Sequence, residues 1–188
     1  MRATDHRYTG EISKFNLAIR MIGHEARTGT IRNCTGFSED RIRKIWTTYF
    51  KNTDATPVRR RRGKSPRQIT PFVNSSMRQT EATVLACLFV NCGLLRVSEP
   101  KLEVTPSRLD PLTLGEQMCN AYETYCSVHP RPQLCFERAW SLYYALTREQ
   151  ELILARCDDC SGPYIQDRYA LDYAWCPFCD IKHTQHAS

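Results

Sequence analysis

Four cysteines near the C-terminal end carry the clearest chemistry in the chain. They form Cys157-Asp-Asp-Cys160 and Cys176-Pro-Phe-Cys179, with fifteen residues between the inner two. Two CxxC pairs at this separation match a four-ligand zinc pattern. Two intervening residues let both thiolates of a pair turn onto one ion, and the intervening segment suffices for a hairpin that brings the second pair round. Four thiolates complete a tetrahedral shell with no position for water or substrate, so one Zn2+ is expected in a structural role. Bound metal contributes folding free energy, on the order of 10–16 kcal/mol in zinc-finger peptides. A segment this small needs it, because its own core is thin. A redox dithiol would account for one pair and leave the other unexplained. A zinc deaminase needs His-x-Glu upstream and Pro directly before its CxxC. Here Pro177 follows Cys176, and no His-x-Glu occurs.

The surrounding pattern shows what must position the thiolates. Leu152-Ile-Leu-Ala155 reads as a strand into the first pair, Ser161-Gly162-Pro163 as a turn, and Tyr164-Ile165 as the start of the return. Tyr173-Ala-Trp175 leads into the second pair, which completes a zinc-ribbon layout. His183 and His186 fall in a tail expected to be loose. Upstream, apolar spacing predicts helices over 113–128 and 132–149, broken at His129-Pro-Arg-Pro132 and packed antiparallel. The first carries Met118, Tyr122 and Tyr125; the second carries Leu134, Phe136, Ala139, Trp140, Tyr143, Tyr144 and Leu146. Aromatics at this spacing read as core or as a protein-docking face. A largely apolar helix, capped by Ser75 or Ser76 and running to about Leu95, is expected to be buried. Residues 96–113 hold Pro100, Pro106 and Pro111 and read as irregular. Cys87, Cys92, Cys119, Cys126 and Cys135 read as small buried hydrophobes.

Charge divides the chain. Residues 1–67 carry sixteen Lys+Arg against six Asp+Glu, whereas residues 68–188 carry ten against fourteen. A basic N-terminal third points to a polyanionic partner. Within it, Ile12, Phe15, Ala18, Ile19 and Ile22 predict a helix over 11–27, with a short second helix near 30–33. Gly36 sits where a turn needs positive φ. Ser38 is a good N-cap for a third helix over 39–51, with Glu39 and Asp40 in its first turn. Its core stripe is Ile42, Ile45, Trp46, Tyr49 and Phe50; its outer face carries Arg41, Arg43, Lys44, Thr47, Thr48 and Lys51. Short helix, glycine turn and basic amphipathic helix are laid out as in a helix-turn-helix, and such side chains suit phosphates and base edges. Residues 52–71 read as a linker, whose Arg59, Arg60, Arg61, Arg62 and Lys64 suit the phosphate backbone. There is no export signal at the start, and the most apolar run, 82–95, is too short to span a membrane. A cytoplasmic protein is expected.

Phe136-Glu-Arg-Ala-Trp140-Ser-Leu142, followed by Leu152-Ile-Leu, Cys157-Asp-Asp-Cys160-Ser-Gly162 and Tyr173-Ala-Trp-Cys176-Pro-Phe-Cys179, resembles the FlhC-like transcriptional activators. The likeness extends over Gly36-Phe-Ser38, Arg41-Ile-Arg-Lys-Ile-Trp46 and Lys64-Ser-Pro-Arg through Pro71-Phe72. The resemblance implies a hetero-oligomer with an FlhD-like subunit that binds double-stranded promoter DNA and activates flagellar or conjugative-transfer genes through RNA polymerase. It places the family's zinc ligands on Cys157, Cys160, Cys176 and Cys179. The expected architecture is mainly α: a helix-turn-helix-like region (1–51), a basic Pro/Arg-rich linker (52–73), a helical partner-binding region (74–151), and a small four-cysteine zinc ribbon with its tail (152–188). A zinc-stabilised protein-binding adaptor without DNA contact is the alternative. No Gly-rich phosphate loop or nucleophile–His–carboxylate set argues for an enzyme.

Overall fold

The structure, a computed structural model, describes residues 3–51, 58–61, 63, 65–129, 131–148, 150–171 and 175–186, with the backbone alone at 3–7, 181 and 183–186. The described residues are mainly helical, with eight helices and two two-stranded antiparallel sheets. They divide into two compact units, one of residues 1–65 with 109–119, the other of 66–108 with 120–188. No described helix is long and apolar enough to cross a membrane.

In the first unit, α1 (Ala3–Gly23), α2 (Thr28–Thr35) and α3 (Glu39–Tyr49) pack pairwise. The buried stripe of α1 is Leu17, Ala18, Met21 and Ile22, which it shares with Ile31, Cys34, Phe37, Ile42 and Ile45. Ile12 lies one turn too early and stays exposed, against its expected place in the stripe. The turn between α2 and α3 follows the sequence reading. Gly36 adopts φ 72° and returns its N–H to Arg32 O, and Ser38 Oγ accepts from Arg41 N. The first half of α6 (Pro111–Val128) also belongs to this unit. It lies so close that a Cβ on Gly115 would come within 2.7 Å of Leu17 Cδ2 and 3.0 Å of Cys34 Cβ. A larger residue there would have to displace the Leu17 side chain and press on Cys34.

In the second unit, α5 (Ser76–Asn91) starts at Ser75, whose Oγ accepts from Arg78 N. Glu81, Ala82, Leu85, Ala86 and Phe89 of α5 are fully buried beside α7 (Phe136–Thr147). The aromatics of α7 are core: Trp140 stacks edge-to-face on Phe136 and Tyr143 at 6.5 and 6.2 Å. Three expectations are corrected. Residues 96–113 are not wholly irregular, because β1 (Leu95–Ser98) pairs antiparallel with β2 (Glu103–Pro106), Val97 opposite Val104. The linker is not free along its length. Ser141 Oγ donates to Pro66 O and Arg138 donates to Gln68 O at 3.1 Å, while α4 (Thr70–Val73) buries Phe72 completely. Of the five cysteines expected to be buried, only Cys119 is so; Cys87 and Cys135 are exposed, and Cys92 and Cys126 half-buried.

A carboxylate lies inside this core. Glu81 is fully buried; its Oε2 accepts from Tyr125 Oη at 2.9 Å and Gln133 N at 3.3 Å, and its Oε1 lies 3.4 Å from His129 Nε2. Tyr125 Oη in turn accepts from the Gln133 and Leu134 N–H groups. Burial, with the Glu81 carboxylate beside it, pushes the Tyr125 hydroxyl up to about 12, so it stays a donor at neutral pH. The network ties α5 to the chain turning out of α6. Removing the acceptor leaves buried donors unsatisfied, which is strongly destabilising. Glu81→Ala should therefore lower unfolding stability in denaturant by about 3 kcal/mol, and Tyr125→Phe by about 1–2 kcal/mol. A Glu81→Ala loss below about 0.5 kcal/mol, the range of ordinary surface changes, would mean that the network does not hold this core together.

Candidate metal centre and nucleic-acid interface

Strands β3 (Leu152–Arg156) and β4 (Pro163–Asp167) form an antiparallel hairpin with Ala155 opposite Tyr164 and Arg156 opposite Pro163. Its turn is the first cysteine pair. Cys157 N donates to Gly162 O and Ser161 N to Cys157 O, both at 2.9 Å. Ser161 takes φ 58° to close the turn. Gly162 leaves room for a ligand sulfur, since a Cβ there would sit 3.3 Å from Cys160 Sγ. The hairpin is held from outside: Gln79 Nε2 donates to Ile165 O at 2.8 Å, and Ile165 N to Thr83 Oγ1 at 3.0 Å.

The second pair is presented differently from the ribbon expectation. It opens helix α8 (Pro177–His186), with Asp180 N donating to Cys176 O at 2.9 Å. Pro177 is preorganised for a first helical position and Asp180 suits the first turn, so the sequence chemistry favours the helix over a loose tail. The segment 172–174, expected as a strand, lies outside the described residues, as do the side chains of His183 and His186.

The four sulfurs converge. Their Sγ atoms all lie within 4.8 Å of one another, and Cys160 Sγ is 3.7 Å from Cys176 Sγ. A tetrahedral Zn2+ with bonds of about 2.3 Å spaces its sulfurs about 3.8 Å apart, so the donor set and its spacing fit that ion. All four are free thiols, and Cys157, Cys176 and Cys179 are buried against Ala155 and Tyr164 while Cys160 is exposed. Burial raises the Cys157 thiol, but the N–H groups of Cys160, Cys176 and Asp159 outweigh it and bring the thiol down to about 6. Burial, together with Asp159 and the other three thiols, pushes Cys179 up. A cluster of four thiolates is thus resisted without a cation, and binding one must expel protons. Four sulfur donors would fill a tetrahedral zinc shell and leave no position on the ion for water.

The candidate nucleic-acid contacts are dispersed more than the cysteines. Arg41, Arg43, Lys44, Thr47, Thr48 and Lys51 are all exposed, while Ile42 and Ile45 face inward. Two of these cations already have partners. Arg41 pairs with Glu11 at 2.9 Å, stacks over Phe37 at 3.7 Å, and holds the Glu11 carboxyl below its usual range; Arg43 pairs with Asp40 at 2.9 Å. Thr47 Oγ1 donates back to Arg43 O. In the arginine run, Arg61 pairs with Glu25 at 2.7 Å, the Arg59 N–H donates to the same carboxylate, Arg59 is exposed and Arg60 half-buried. Arg62 and Lys64 lie outside the described residues. Sequence reasoning did not anticipate Glu11 and Glu25 as anchors, because ion pairs across thirty or more positions leave no local pattern. Compared with known proteins, the chain matches no protein-family model and no curated protein.

Two measurements check the metal centre. Cys157→Ser or Cys176→Ser should abolish stoichiometric zinc and lower the thermal midpoint of the C-terminal region; one zinc per chain and an unchanged melt would sink the ligand assignment. Zinc affinity should fall as pH drops from about 8 to about 6, since protons compete for the thiolates. Chelator competition reads this directly, and a flat profile would contradict thiolate ligation.

Proposed function

We propose that the chain is a DNA-binding transcriptional activator acting in a hetero-oligomer with an FlhD-like subunit, recruiting RNA polymerase to flagellar or conjugative-transfer promoters. The observation that carries this reading is the outer face of α3. Five basic or hydroxylic side chains, Arg41, Arg43, Lys44, Thr47 and Thr48, stand exposed on a helix whose opposite face is locked into a three-helix core, and Lys51 is exposed just past its end. The helix follows a left-handed glycine turn and a serine cap, the layout of a helix-turn-helix with α3 as its recognition helix. Lys44, Lys51 and Thr48 are the members best placed to read DNA, since Arg41 and Arg43 hold carboxylates that phosphates would have to displace. The arginine run supplies backbone contacts, and the zinc centre supplies a rigid fold and no chemistry. The FlhC-like motifs, Arg138-Ala-Trp140 with the four cysteines, support the same assignment and the partner it implies.

A protein-binding adaptor is the second reading, favoured by Trp175 and Phe178, which stand exposed beside the metal centre. Duplex binding separates the two. With an FlhD-like partner co-purified, Lys44→Ala with Thr48→Ala should cost about 1–3 kcal/mol on the preferred promoter and relax its specificity. Arg59–Arg62→Ala should weaken all sequences alike and reduce the salt slope. Binding that is absent, or indifferent to salt and to both sets of substitutions, would favour the adaptor.

A further inference from the structure

An apolar cavity of about 220 Å³ opens beside the first cysteine pair, lined by Thr80, Gly162, Pro163, Tyr164, Pro177 and Phe178 with the sulfur-bearing edges of Cys160 and Cys176. Its size lies below the roughly 300–1,000 Å³ typical of small-molecule sites and suits a single inserted side chain. Phe178 stands at its rim 61% exposed, and Trp175, which precedes Cys176, is 44% exposed. A large aromatic left exposed at the rim of an apolar cavity is the composition of a binding hot spot rather than of an inert surface. Backbone hydrogen bonds from Cys157 N to Gly162 O and from Asp180 N to Cys176 O hold the hairpin turn and the first turn of α8, so little is left to order on binding.

Charge selects the occupant. Asp158, Asp159 and Asp180 are all exposed around the cysteine pairs. Four thiolates on one divalent ion add further negative charge. Arg156, the cation of the adjoining strand, is already paired with Glu99 at 2.7 Å. Lys182, one turn on from Phe178, is an exposed cation on α8, but the three carboxylates and the metal-bound sulfurs outweigh it, and a net negative face disfavours nucleic acid and favours cations. We infer that the cavity is a docking site for a partner protein's segment that inserts one aromatic or long aliphatic side chain flanked by Lys or Arg. The site goes beyond the DNA-binding reading and does not depend on it, because it uses none of the α3 residues.

The test uses the full zinc-loaded chain and short fluorescent peptides with a central Phe between Lys/Arg residues, compared with a central Ala and with Glu flanks, by anisotropy. The basic Phe peptide should bind about tenfold or more tighter than either control. Phe178→Ser, and separately Thr80→Phe to fill the cavity from α5, should each remove that margin while zinc content and duplex binding stay unchanged. Equal binding of all peptides, or a margin surviving both substitutions, would overturn the proposal. So would self-association of the chain abolished by Phe178→Ser, which would give the face to a second copy. Loss of duplex binding by the unaltered chain would bear on the DNA reading alone.

Discussion

Bringing four cysteine sulfurs within 4.8 Å of one another is the constraint on which the C-terminal half depends. Such a cluster is unfavourable as four charges without a cation, and one divalent ion turns the same geometry into a source of folding free energy. Much of the local structure exists to satisfy it. The hairpin turn needs a residue at positive φ, which Ser161 supplies, and a side chain small enough to clear Cys160 Sγ, which Gly162 supplies. The second pair reaches the first because Cys176 and Cys179 sit on the opening turn of α8. The hairpin is then clamped to α5 through Gln79 and Thr83, so the metal centre and the helical core share the same hydrogen bonds.

The two units differ in the charge they display. The N-terminal unit displays its cations on α3 and on the segment after it, and uses Glu11, Asp40 and Glu25 to orient several of them. Exposed pairs of this kind contribute little stability, and a polyanion competes with them readily at low salt. The C-terminal unit displays carboxylates and aromatics around a closed centre. One surface suits a phosphate backbone and the other a cationic peptide.

Much of this was legible in the residues because it is local. The spacing of the cysteines, the Gly36 turn, the Ser38 and Ser75 caps and the strand into Cys157 all follow from short-range chemistry. What escaped was non-local or masked. The β1–β2 hairpin has only four residues per strand and carries Pro100 in its turn and Pro106 at the end of β2, which read as breakers. Helix α8 was hidden by its polar histidine-bearing sequence, although Pro177 and Asp180 mark its start. The docking of 66–68 on α7 uses backbone carbonyls as acceptors, which every residue has. The close approach of α6 at Gly115 is visible only once Leu17 and Cys34 are placed against it.

The proposed zinc site is closed, since four sulfurs would leave no position on the metal for water or substrate. Zinc K-edge X-ray absorption on the purified chain tests it most directly. The expected result is a first shell of four sulfurs at about 2.3 Å with no nitrogen or oxygen. A shell containing a light atom, whether water or an imidazole from the C-terminal histidines, would contradict it and reopen the site to chemistry.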